Sequence, residues 1–114
     1  MANWLWKKHQ KQEAHMLVIS GEIRVAPESR IKAVAAMTRV EQATRKEEGC
    51  LTYTFYADLE DANTFRIFEE WESDAALAAH FKAPHIAAFR AEMTEVKVLS
   101  RQIKRYEVTS VAVL

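Results

Sequence analysis

Residues 17 to 25 alternate with period two: Leu17, Ile19, Gly21, Ile23 and Val25 point one way, and Val18, Ser20, Glu22 and Arg24 the other. That alternation predicts a strand. After Ala26-Pro27-Glu28-Ser29 the period becomes helical. Ala33, Val34, Ala36, Met37, Val40 and Ala43 form a wide apolar face, with Glu28, Lys32, Arg39, Gln42 and Lys46 opposite. The pattern predicts an amphipathic helix on one side of a sheet, ending near Glu48-Gly49 with Gly49 as its stop. Cys50 to Ala57 reads as a second strand, with Leu51, Tyr53 and Phe55 on one face and Thr52, Thr54 and Tyr56 on the other. Asp58 to Asn63 is a polar hairpin connection.

Thr64 to Glu72 is rich in aromatic and β-branched residues and predicts a third strand. Ser73 offers an N-cap hydroxyl, and Asp74 places a negative charge in the first turn of the helix that follows. Leu77, His80 and Phe81 share one face of that helix. Pro84 cannot continue it but can start another, which carries Ile86, Phe89 and Met93 on one side. Val96 to about Val108 reads as a last strand. The order β-α-β-β-α-β predicts an α+β, ferredoxin-like fold: one antiparallel sheet with its helices on a single face.

The other face then needs cover. Val18, Tyr56, Phe68, Leu99 and Ile103 alternate against Ile19, Phe55, Ile67 and Val98, so both sides carry large apolar groups. A sheet bare on one side would be polar there. Burial against a second copy, sheet on sheet as a homodimer, is the economical expectation, enclosing a dry chamber beside Trp71 and His80. The tail from Val108 to Leu114 suits reaching across to a partner subunit.

The 114 residues form one domain over 16–114, preceded by an arm over 1–15. Trp4, Leu5 and Trp6 followed by a polar run allow three readings of that arm: loosely docked or disordered chain, a weak membrane-surface anchor, or residues upstream of a start at Met16. Sixteen basic and sixteen acidic residues cancel, leaving no nucleic-acid footprint. No apolar run approaches the roughly 20 residues of a membrane span. A single cysteine, Cys50, permits no intrachain disulfide and no Cys-rich zinc site, and a reducing cytoplasm fits best.

Three segments, EEGCLTYTFY (Glu47 to Tyr56), FEEWES (Phe68 to Ser73) and AAHFKAPHIAAF (Ala78 to Phe89), together resemble the antibiotic biosynthesis monooxygenase family, its small quinol-monooxygenase-like members above all. The likeness spans about Met16 to Ser110. It implies ferredoxin-like protomers paired into a dimeric α+β barrel. It also implies oxidation of quinols or related phenols by O2 as co-substrate, with no flavin, haem or metal. A haem-degrading branch of the superfamily is similar at Trp71 but needs an Asn and a His where Gly21 and Arg90 stand, which argues against haem. A branch that isomerises a phosphorylated signalling sugar resembles the His80–His85 region and stays an alternative, as does a non-catalytic dimeric binder of small molecules.

Cofactor-free oxygenation needs a base for a phenol or enol, an aromatic wall and a group for the oxyanion. His80 is the candidate base, against a structural reading as a helix-end His bonded to a carbonyl. Trp71 either walls the pocket or plugs the core. His85, at a helix N-terminus, assists or is structural. Five residues and a proline separate the two His, which is poor spacing for a shared metal, so no metal is expected. Tyr53 and Tyr56 point to opposite sheet faces, so at most one of them lines a given cavity with Phe68. Arg101 is a charge between apolar neighbours that binds an oxyanion or pairs with Glu70 across the sheet. Cys50 reads as a buried, inert thiol.

Overall fold

A computed structural model describes residues 16–114; the arm expected over 1–15 lies outside the described residues. Strand β1 (Met16–Val25) leads through a 3-10 turn (Pro27–Ser29) into helix α1 (Arg30–Thr44). Strands β2 (Cys50–Ala57) and β3 (Thr64–Trp71) form a hairpin, followed by helices α2 (Asp74–Phe81) and α3 (Pro84–Met93) and strand β4 (Val98–Val108). The sheet order is β2-β3-β1-β4, with every neighbouring pair antiparallel. This is the expected ferredoxin-like arrangement.

The period-two pattern of β1 sets the core. Leu17, Ile19, Ile23 and Val25 are all buried. Register places Leu17 opposite Trp71, Ile19 opposite Glu69, Gly21 opposite Ile67 and Ile23 opposite Phe65, so β1 and β3 present one continuous face to the helices. Gly21 is needed for a close approach: a Cβ there would lie 2.2 Å from the Gln102 carbonyl oxygen and 2.4 Å from Ile103 Cα. Any side chain would push β4 off the sheet.

The core has two ends. Val25, Ala33, Met37, Phe65 and Val96 pack at one, and Leu17, Val40, Tyr53, Trp71, Leu77 and Ile86 at the other. Helix α2 starts as expected, with Ser73 Oγ accepting from the Ala76 N–H at 3.1 Å. The reversal into α3 brings Leu77 and Ile86 to the Trp71 end, while Met93 packs at the other.

Four expectations are corrected. Helix α1 stops at Thr44, and turns occupy the stretch to Gly49, which has φ +83. The apolar stripe of α1 is spent by Thr44, so the polar residues after it have no core to follow. Strand β4 starts at Val98; Val96 is instead a buried core residue in the connection. Phe81 is half exposed while Leu77 and His80 are buried. Ile103 pairs with Gly21 on the helix side, away from Val18, Tyr56 and Phe68.

That last shift changes the open face. It carries Ser20, Glu22, Arg24, Thr52, Thr54, Arg66, Glu70 and Lys104 beside Val18, Tyr56, Phe68 and Tyr106. Its polar groups pair across strands: Arg66 bonds Ser20 and Glu22, and the Thr52 hydroxyl donates to Glu70. The face is mixed, with one large apolar group fewer than the alternation suggested, since Ile103 lies on the other side. Among the described residues no helix is long and apolar enough to cross a membrane.

Candidate active site

Three separate segments converge on one carboxylate. Because α1 ends early, the following turn swings Glu47 off the helix axis, with the Cys50 N–H bonded back to the Glu47 carbonyl. His80 stands in the last turn of α2 and His85 in the first turn of α3. Glu47 Oε2 lies 2.6 Å from His80 Nδ1 and 2.7 Å from His85 Nε2. The His80 side chain is 3% exposed, that of Glu47 15% and that of His85 25%, so the cluster runs from the core to the surface.

Aromatic rings enclose the buried end. The His80 ring centroid is 4.7 Å from that of Trp71 and 5.4 Å from that of Tyr53. The Trp71 Nε1–H donates to Glu69 Oε1 at 2.8 Å. Glu69 is 8% exposed. Burial, reinforced by the charge of Glu47 and opposed by the Trp71 hydrogen bond, pushes its carboxyl up to about 7. Burial also lowers His80 below the ordinary histidine value, against the hydrogen bond and charge of Glu47 that favour the cation. The Tyr53 phenol is raised, chiefly by burial, and is un-ionised at neutral pH.

The shared oxygen implies an arrangement of the ring protons. With the shared Glu47 oxygen as acceptor, the ring nitrogens that touch it are N–H donors. His80 is then the Nδ1–H tautomer, and its Nε2, directed away from Glu47, is left as an acceptor. A neutral imidazole so held can take a proton.

Trp71, His80, Tyr53 and His85 come together on the helix side of the sheet, within one protomer. They do not face the space where a second sheet would stack. Tyr56 and Phe68 lie on the open face, opposite Arg66 and between Ser20 and Thr54 respectively, and do not join them. Arg101 is exposed on β4 opposite Ile23. Its anticipated pairing with Glu70 does not form, because Glu70 is on the other face with β1 intervening. Cys50 is half-buried, and burial with the charges of Glu47 and Glu69 pushes its thiol up to about 11, which keeps it protonated.

The five-residue spacing across Pro84 does not separate the histidines. The chain reverses between the two helices, and the ligand atoms of Glu47, His80 and His85 all lie within 4.8 Å of one another. Sequence reasoning missed Glu47 and Glu69. The signal for Glu69 was present: it occupies an inward position between Ile67 and Trp71 in a period-two strand. A pocket of about 340 Å³ lies along β2, lined by Arg45, Cys50, Leu51, Thr52, Tyr53 and Thr54, and includes none of Glu47, His80 and His85. Tyr53 lines it and also packs against the His80 ring.

Comparison with known proteins agrees with this architecture. The chain is 31% identical over 98 residues to the uncharacterized protein sll1783 of Synechocystis, covering 86% of this chain and 67% of that one. It is 30% identical over 99 residues to the Escherichia coli protein named "Probable quinol monooxygenase YgiN", covering 78% of this chain and 94% of that one. The structure of Rv0793 from Mycobacterium tuberculosis superposes with a TM-score of 0.78 at 22% identity, over 86% of this chain and 99% of that one, and shares the fold. The sequence profile of antibiotic biosynthesis monooxygenases matches residues 16–92, and the chain belongs to that family.

Proposed function

We propose that this chain is a cofactor-independent monooxygenase acting on a small aromatic quinol or related phenol, with His80 as the base. One observation carries the reading: Glu47 Oε2 sits 2.6 Å from His80 Nδ1, which leaves Nε2 of a buried, neutral imidazole free to accept a proton. In this reading Nε2 removes a phenolic proton. The phenolate passes an electron to O2, and the radical pair combines into a peroxide. Loss of water then gives a hydroxyquinone, with one oxygen atom in each product. Trp71, fully buried, backs the His80 ring, and Glu69, poised near neutral pH, holds the indole N–H and so the orientation of that backing. The 340 Å³ pocket along β2 would take a bicyclic quinol by volume, and Tyr53 is the one side chain it shares with the aromatic surroundings of His80.

Two copies pair through the open face in this reading, with Val18, Phe68, Tyr56 and Tyr106 as its apolar part. Its place is a reducing cytoplasm, where Cys50 stays a thiol. The test is O2 uptake with menadiol above the autoxidation rate, abolished in His80→Ala. Turnover that continues without O2 would instead favour the isomerase, since the same base could enolise a sugar-like substrate. Binding without turnover on a panel of quinols would favour a non-catalytic role. A sedimentation mass of one chain at micromolar concentration would contradict the pairing.

A further inference from the structure

We infer that Glu47, His80 and His85 form a three-ligand site for a divalent cation of the zinc class, with a fourth position left for water. The donor set is two imidazole nitrogens and one carboxylate oxygen, which suits zinc and its neighbours and not magnesium or calcium. All three ligand atoms already lie within 4.8 Å of one another. In a tetrahedral site, neighbouring ligand atoms stand about 3.3 Å apart. Each His–Glu47 separation, now 2.6 and 2.7 Å, therefore opens by about 0.7 Å to admit the ion.

The ligands arrive from a turn and two helices, and the two His nitrogens, within 4.8 Å of each other, come to the same spacing of about 3.3 Å as the Glu47 separations open. His80 is locked by Trp71 and Tyr53, and the partly exposed His85 gives a way in from solvent. Occupancy has a chemical consequence. The ion takes the Nδ1 lone pair of His80, so the ring proton must move to Nε2. A metal-bound His80 then has no nitrogen left to accept a proton, and the cation and the proposed base role exclude each other.

The test uses the full chain, stripped with a chelator and titrated calorimetrically with ZnCl2. A parallel titration with Co2+ reads the visible absorption of a low-symmetry nitrogen and oxygen site. One equivalent per chain is expected. Glu47→Gln and His85→Ala should each weaken Zn2+ binding by at least about tenfold, the lower end of what disturbing a ligand's surroundings costs. Circular dichroism checks that both variants fold. Nitrogen NMR of the unmodified chain needs no variant: Zn2+ should shift His80 Nδ1 and His85 Nε2. Equal Zn2+ affinity in all three proteins, no saturable uptake, or unmoved His80 and His85 nitrogens would overturn the site. These readouts need no substrate, so they stand or fall separately from the oxygenase reading.

Discussion

Glu69 and Glu70 are neighbours in β3 that face opposite sides of one sheet, and their surroundings share almost nothing. Glu69 points under the helices, beside Ile19 and Tyr53, with the Trp71 indole as its partner and a carboxyl pushed up to about 7. Glu70 points to the open face, between Val18 and Thr52, and accepts from the Thr52 hydroxyl. The covered face strips water from its titratable groups, which makes Glu69 and His80 chemically unusual. The open face satisfies its polar groups in pairs, with Val18, Tyr56, Phe68 and Tyr106 beside them. In the proposed function, chemistry and pairing are divided between the two sides of one sheet.

Substitutions on matched sides can break that contrast. The largest effect is expected for His80→Ala, which should lower kcat/KM by about 10²- to 10⁴-fold, the usual worth of a positioned base. Arg66→Ala on the open face should leave the rate unchanged in the same oxygen-uptake assay. Activity of the unmodified chain should fall at acid pH with a midpoint below the ordinary histidine value, because burial lowers His80. An acid limb above that value would contradict the assignment.

Next is Trp71→Ala, which should cost about 3–5 kcal/mol in urea unfolding, as expected for emptying a fully buried indole site. Glu69→Gln comes third and is read against pH. The folded pKa of Glu69 lies above the ordinary value of 4.5, so between there and about 7 the folded state holds a proton that the unfolded state releases. Wild-type stability therefore falls as pH rises through that window and stays low above it. Glutamine can still accept from Trp71 but does not ionise. The variant should gain on the wild type by up to about 3 kcal/mol between pH 5 and pH 8. A difference that does not vary with pH would place Glu69 in water. The smallest effect is for the open-face ion pair, where Arg66→Ala should change stability by at most about 1 kcal/mol.

The sheet was legible because β1 alternates cleanly, and the break at Pro84 was legible because proline has no N–H to continue α2. The end of α1 was not. Residues 45–48 are polar helix formers, and Gly49 is the first breaker, so nothing local says that the chain leaves the helix at Thr44. Glu47 was lost with it, since its role depends on where that turn points. The face of Ile103 was hidden for another reason: the register of β4 slips at Arg24/Val25, and a one-residue slip moves every later side chain to the other side. Trp71, His80 and His85 could be named from residue types and spacing. That His80 and His85 share one carboxylate oxygen depends on a chain reversal that spacing along one helix cannot express.

Long-range proton–nitrogen NMR of the imidazole rings tests the role of His80 most directly. At pH 7 the His80 signals should be those of a neutral ring with its proton on Nδ1, and Glu47→Gln should disturb them. A ring protonated on both nitrogens at that pH, or a neutral ring with its proton on Nε2, would leave no acceptor for a substrate proton and contradict His80 as the base.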